Sequence, residues 1–170
     1  MTPLAILDRL RSHPTIRPSI QGHTKLEWQK VKRVVAPALR LPPGPALLQR
    51  AVILLELAVR DNPNEWAYWY ALGDYYQRLD DWASSIRVCH QCYKLRPQDP
   101  RSAYALATAF RFWAQKQPVS DVDHKAVIAA VTLFAQVLSA PIPQRARRLV
   151  QQHLDAMATR YPALRDSDNQ

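Results

Sequence analysis

Glycine is scarce in this sequence, and the shortage excludes whole classes of protein. The 170 residues include 3 glycines against 14 prolines. Phosphate-binding loops need clustered glycines, because only glycine lets backbone N–H groups approach a phosphate closely. Gly22, Gly44 and Gly73 stand far apart, so the chain has neither a P-loop nor a dinucleotide fingerprint. Tight β-hairpin turns also require more glycine, which argues against an all-β fold.

Long apolar runs are missing as well. No window approaches the ~18 consecutive apolar residues of a membrane-spanning helix. Asp8, Arg9 and Arg11 interrupt the apolar N-terminal residues, so we expect no secretory signal. The two cysteines then predict reduced thiols rather than a disulfide framework. We expect a cytoplasmic protein, with organelle targeting by the basic N-terminus as the open alternative.

Positive charge is concentrated in the N-terminal third. The formal net charge is +9, and residues 1–60 contain 10 Lys or Arg against 3 Asp or Glu. Such an excess attracts acidic proteins, nucleic acids or anionic membranes, although a solvated surface explains it equally well. The candidate basic patch, whose cations could contact phosphates, consists of Lys25, Lys30, Lys32 and Arg33.

Prolines and capping residues divide the chain into helical segments. The sequence predicts a basic N-terminal segment with a short helix over 1–23, a helical domain over 24–162 and a frayed tail over 163–170. Thr24 with Glu27 forms a capping box, and Pro37 is expected to kink or end the helix that follows. Within the domain, further helices are predicted to end near Arg60 and to span roughly 65–79, 82–95, 99–116, 121–139 and 144–160.

The most specific pattern in the sequence is a repeat of helix-ending prolines and helix-packing residues. Pro63 and Pro97 lie 34 positions apart, and each follows a predicted helix. The residues between them that carry the pattern are Trp69, Leu72, Gly73 and Tyr76 on the first helix and Ser85, Cys89 and Cys92 on the second. The first four match the run W-x2-L-G-x2-Y in full, and the other three match A-x3-F-x2-A by position and size class.

On these residues, the stretch from Trp66 to Asp99 resembles a tetratricopeptide repeat (TPR). Degenerate units flank it, so that the resemblance covers about residues 24–140. The resemblance implies an all-α, right-handed array of helical hairpins, with the helix over 144–160 as a C-terminal capping helix. It also implies a concave groove, lined by the first helix of each unit.

A groove of this kind implies protein binding rather than catalysis. The groove-facing positions are Tyr70, Asp74, Gln77, Arg78, Arg101, Tyr104, Thr108 and Arg111. Tyr70 and Tyr104 would form an aromatic floor, suited to a partner segment with apolar anchors and acidic groups. In the alternative, these tyrosines pack against neighbouring helices or the N-terminal segment and bind nothing.

Other candidate sites are weaker. Cys89-His90-Gln91-Cys92 has the spacing of a metal or redox motif, but the cysteines fall in mid-helix at repeat packing positions, which favours buried thiols. We therefore expect a non-catalytic adaptor, scaffold or assembly factor with no metal and no cofactor. Nucleic-acid binding or regulation by the basic N-terminal third is the alternative function.

Overall fold

The computed structural model describes residues 25–118 and 124–162, and every regular element within these ranges is helical. The predicted all-α class is therefore confirmed. The predictions for residues 1–23, for the Thr24 cap, for residues 121–123 of the helix predicted over 121–139 and for 163–170 lie outside the described residues. The α-helices are α1 (Lys25–Val35), α2 (Pro45–Asp61), α3 (Trp66–Arg78), α4 (Trp82–Leu95), α5 (Pro100–Lys116), α6 (His124–Ser139) and α7 (Gln144–Arg160).

Local chemistry accounts for most of the helix ends. Helix α1 ends at Val35, two residues before Pro37, and a single turn of 3-10 helix follows over Ala38–Arg40. The carboxylate of Asp81 accepts a hydrogen bond from the Ser84 amide at 3.0 Å and so caps α4. Asp99 caps α5 in the same way, at 2.9 Å from the Arg101 amide. Because these signals are local, they could be recognised in the sequence.

Consecutive helices pack against one another as hairpins joined by short connections. In addition, α1 contacts α3, and α3 contacts α5. The odd-numbered helices α1, α3 and α5 therefore form one layer, and α2, α4 and α6 pack against it. This arrangement is an all-α helical-hairpin array. Among the described helices, none is both long enough and apolar enough to cross a membrane.

The two helices of the α3–α4 hairpin come close together at Gly73. A Cβ atom added to Gly73 would stand 2.6 Å from the Sγ atom of Cys89, closer than two such atoms can come. Ser85, one turn before Cys89, is fully buried, and its hydroxyl lies 3.4 Å from the Gly73 carbonyl oxygen. Small residues at these three positions allow the two backbones to approach, as the repeat pattern implies.

Gly73→Ala is expected to lower the free energy of unfolding by about 1–3 kcal/mol. The added methyl group has no room between α3 and α4, and this steric cost exceeds the stability that alanine gains over glycine in a helix. Urea unfolding of the two proteins measures the difference. In a Cys89→Ala background, which removes the obstructing sulfur, the same substitution should be close to neutral. An equal cost in both backgrounds would show that the Gly73–Cys89 contact is not the cause.

Candidate functional site

Half of the eight side chains predicted to line the groove are packed inside the structure instead of lining an open surface. Tyr70 is 7% exposed, Tyr104 is 5% exposed and Thr108 is 2% exposed. Arg101 is buried too, although it carries a charge. The structure thus differs from the expected aromatic floor, because other side chains of the same chain cover both rings.

At one end of the groove, Trp66 is the centre of a stacked cluster. Its ring is stacked on Tyr70 with centroids 4.7 Å apart, and its indole N–H donates to Ser102 Oγ at 2.7 Å. The guanidinium groups of Arg96 and Arg101 lie 4.7 and 4.4 Å from the centroid of the same ring. These cation–π contacts hold two positive charges against one indole, so the cluster needs compensating carboxylates.

Glu27 of α1 and Asp99 supply the compensating charge. Arg101 Nη1 donates to Glu27 Oε2 at 2.8 Å and Nη2 donates to Asp99 Oδ2 at 2.7 Å. Arg96 donates to the other oxygen of Glu27, also at 2.8 Å. Although burial lowers the pKa of Arg101, the bonds to Asp99 and Glu27 outweigh that effect and raise it above its ordinary value. The network therefore fixes α1 to the start of α5.

At the other end, His153 of α7 covers the groove-facing side of α5. Its ring is stacked on Phe134 at 5.0 Å, and its Nε2 atom lies 3.0 Å from the Tyr104 hydroxyl oxygen. The Nδ1 atom contacts Arg111 Nη1. A guanidinium can only donate, so Nδ1 accepts and the neutral ring carries its proton on Nε2, which donates to Tyr104. The adjacent guanidinium disfavours a second positive charge on the imidazole, and burial lowers the pKa of Arg111.

Between the two ends, the predicted groove residues form a short polar strip. Asp74 and Arg78 make an ion pair with 2.7 Å between Oδ2 and Nη2. Gln77 donates from its side-chain amide to the Ala105 carbonyl oxygen at 3.2 Å, which joins α3 to α5. Asp74, Gln77, Arg78 and Arg111 are only partly buried. This strip is the part of the predicted groove that a partner can reach.

The predicted basic patch is divided by the structure. Lys30 forms an ion pair with Glu65, the N-cap residue of α3. Lys25 and Arg33 are exposed and Lys32 is half-buried, whereas Val31 and Val35 of the same helix are buried. Two of the four cations are therefore exposed on α1.

The residues assigned to the repeat pattern all take part in packing or in hairpin connections. Leu72 is buried, and the Trp69 indole N–H donates to the Pro63 carbonyl oxygen at 2.7 Å. Burial and a hydrogen bond to Glu56 raise the pKa of Tyr76 to about 12. Pro97 follows α4 in the connection to α5, and its carbonyl oxygen accepts a bond from Gln136 of α6 at 2.9 Å.

Both thiols are free and fully buried. Burial raises the pKa of Cys89 to about 12 and raises that of Cys92 further. Cys92 Sγ lies 3.7 Å from Ser102 Oγ, so this thiol packs at the junction between α4 and α5. Within 25–118 and 124–162, no cluster of His, Cys, Asp or Glu could hold a metal ion.

Two residues of this region were missed in the sequence analysis. His153 lies three positions after Val150 and four before Met157, so its helical spacing already placed it on the inward face of the last helix. Glu27 was assigned to a capping box, whereas its carboxylate binds arginines 69 and 74 positions away in sequence. The first had a periodicity signal, but nothing local pointed to the second.

Comparisons with known proteins add no relative. The sequence matches no protein-family model, and a search of curated proteins finds no similar sequence. The resemblance to the TPR family therefore depends on this chain's own residues.

Glu27→Gln is expected to lower the free energy of unfolding by about 2 kcal/mol, because it leaves two cations beside Trp66 with only Asp99 as a counter-charge. Lys30→Gln is the matched control on the same helix. It removes a partly exposed ion pair and should cost no more than about 1 kcal/mol. Equal losses in urea unfolding would mean that the buried network does not anchor α1.

The native thiols should react with a disulfide reagent at least about a hundredfold more slowly than those of the unfolded chain, because thiolate formation requires the interfaces of α4 with α3 and α5 to open. A colorimetric assay follows the reaction, and concentrated guanidinium chloride should release both thiols. Rapid reaction of either cysteine in the native protein would contradict their burial.

The raised thiol pKa also predicts a loss of stability in alkali. The unfolded chain loses the Cys89 proton near pH 9.0, whereas the folded chain keeps it to about 12. This contribution to stability is therefore complete below pH 9.0 and is lost as the pH rises toward 12. Urea unfolding across that interval should show a shallower decline for Cys89→Ala than for wild type.

Proposed function

We propose that this protein is a non-catalytic protein–protein interaction module of the TPR type, acting as an adaptor, scaffold or assembly factor. The observation that carries the proposal is the α3–α4 hairpin. Its backbones meet at Gly73, Ser85 and Cys89, the positions where the repeat pattern requires small residues. The layer formed by α1, α3 and α5 supports the same likeness.

The partner is expected to contact the accessible polar strip of Asp74, Gln77, Arg78 and Arg111. Tyr70 and Tyr104 then act as packed supports for this strip rather than as direct contacts, because their rings are covered. Arg78 and Arg111 favour acidic groups on the partner. Asp74 repels an acidic group placed opposite it, which fixes how the partner aligns along the strip. Rim contacts of this type tune specificity and association rate more than total affinity.

Asp74→Arg should reduce recovery of the protein's partner about tenfold in affinity purification from its native host, followed by quantitative mass spectrometry. Asp155→Arg is the matched control. It makes the same charge change at an exposed position. Like Asp74, Asp155 interacts with a side chain four positions away on its own helix. Identical recovery with both variants would count against the strip.

Nucleic-acid binding through Lys25, Lys32 and Arg33 is the second candidate, favoured by the exposure of Lys25 and Arg33 on α1. It predicts an affinity for DNA or RNA that falls steeply with salt concentration. A gel-shift titration at physiological salt that shows no complex would remove this candidate.

A further inference from the structure

A second surface, on the opposite side of α5 from the polar strip, contains an apolar cleft. The cleft lies between α4, α5 and α6, has a volume of about 400 Å³ and is open to solvent. This size falls within the range of roughly 300–1,000 Å³ that is usual for ligand-holding clefts. Its lining consists of Ile86, Phe110, Trp113, Lys125, Ala126 and Ala129.

Helices α4 and α6 form the two walls, and α5 forms the floor. A hydrogen bond from the Tyr93 hydroxyl to Gln136 Oε1, at 2.8 Å, closes one end. Tyr93 lies seven positions after Ile86 on α4, and Gln136 lies seven positions after Ala129 on α6. The residues that form this hydrogen bond are therefore about 10 Å from Ile86 and from Ala129 along their helices. The equal spacing shows that α4 and α6 run side by side in the same direction, which gives the cleft the form of a trough.

The floor of this trough is built from large rings that the fold does not fully cover. Phe110 and Trp113 are only half-buried, although both are packed against the core formed by α5, α6 and α7. Ile128, one residue before Ala129, is 53% exposed on the outer side of α6. Aromatic rings and an adjacent apolar side chain of this kind are typical anchors of protein interfaces.

In the part of the chain that the structure describes, the charged side chains on the helices that line the trough have one sign. Helices α4, α5 and α6 contain no Asp or Glu, while Arg87 and Lys94 are exposed along α4 and Lys125 is exposed at the start of α6. The carboxylates next to α4 are engaged elsewhere: Asp81 caps that helix, and Asp80 lies 3.9 Å from Lys116. A second copy of this chain would bring more cations to this surface, which disfavours self-association here.

We propose that the trough binds the apolar side chains of a protein segment whose flanking residues are acidic. Large apolar anchors enter between Ile86 and Ala129 and contact Trp113, while carboxylates on either side meet the cations of α4 and α6. This inference rests on the proposed protein-binding function and assigns it a surface separate from the polar strip.

The test uses the full chain with the photo-crosslinker p-benzoyl-phenylalanine at position 128, irradiated in an extract of the native host. Mass spectrometry then identifies the crosslinked peptides. We expect segments with large apolar residues flanked by Asp or Glu. Crosslinks to basic segments, to nucleic acid or to a second copy of this chain, or the absence of crosslinks, would overturn the proposal.

Two variants connect the crosslink with the trough. Ala129→Glu places a carboxylate in the apolar lining and should reduce the crosslink about tenfold or more. Ala156→Glu makes the same substitution at an exposed position of α7, outside the lining, and should leave the crosslink unchanged. If Ala129→Glu fails to fold by circular dichroism, Lys125→Glu at the exposed rim replaces it, with an expected loss of about threefold to tenfold.

Failure of this inference can be separated from failure of the proposed function. If Asp74→Arg abolishes partner recovery while Ala129→Glu and Lys125→Glu do not affect the crosslink, the module binds through the polar strip and the trough proposal is wrong. If none of the three variants alters recovery or crosslinking, both proposals are wrong.

Discussion

Glu27 and Arg101 lie 74 positions apart in sequence, and their ion pair joins α1 to α5 across the face of α3. Arg101 could not remain buried against Trp66 without a counter-charge, since an uncompensated buried cation costs several kcal/mol. Asp99 and Arg96 complete the network, so that two carboxylates balance two guanidinium groups around one indole. The position of the first described helix, and with it one end of the candidate groove, depends on this balance.

The opposite end of the candidate groove is closed by a network around a neutral imidazole. His153 reaches α5 from α7, and the fixed donor character of Arg111 determines which imidazole nitrogen carries the proton. Helix α7 is therefore held by specific polar contacts as well as by apolar burial of Val150 and Met157. Between these two ends, only a narrow polar strip remains accessible, while the opposite side of α5 presents uncovered aromatic surface. Both proposed contact surfaces thus include residues of α5.

The two faces of α5 differ in exposure because they pack against different helices. Tyr104, Thr108 and Arg101 face the layer shared with α1 and α3, where the chain covers them. Phe110 and Trp113 face the gap between α4 and α6, and the small side chains Ala126 and Ala129 leave that gap unfilled. Bulky side chains at these two alanines would close the trough, so its existence follows from residue size on α6.

The sequence alone determined the all-α class, most of the helix boundaries within the described residues and the close contact at Gly73. Helical periodicity, Pro37, the Asp81 and Asp99 caps and the repeat spacing are local signals, and each acts within a few residues of its position. Which groove positions stay accessible was decided only by the tertiary structure. Glu27 and His153 lie 74 and 49 positions from Arg101 and Tyr104, and pairings at that distance leave no trace in local spacing. Whether a charged or polar side chain is buried depends on which distant residues the fold packs against it. A sequence pattern shows only on which face of its own helix that side chain lies.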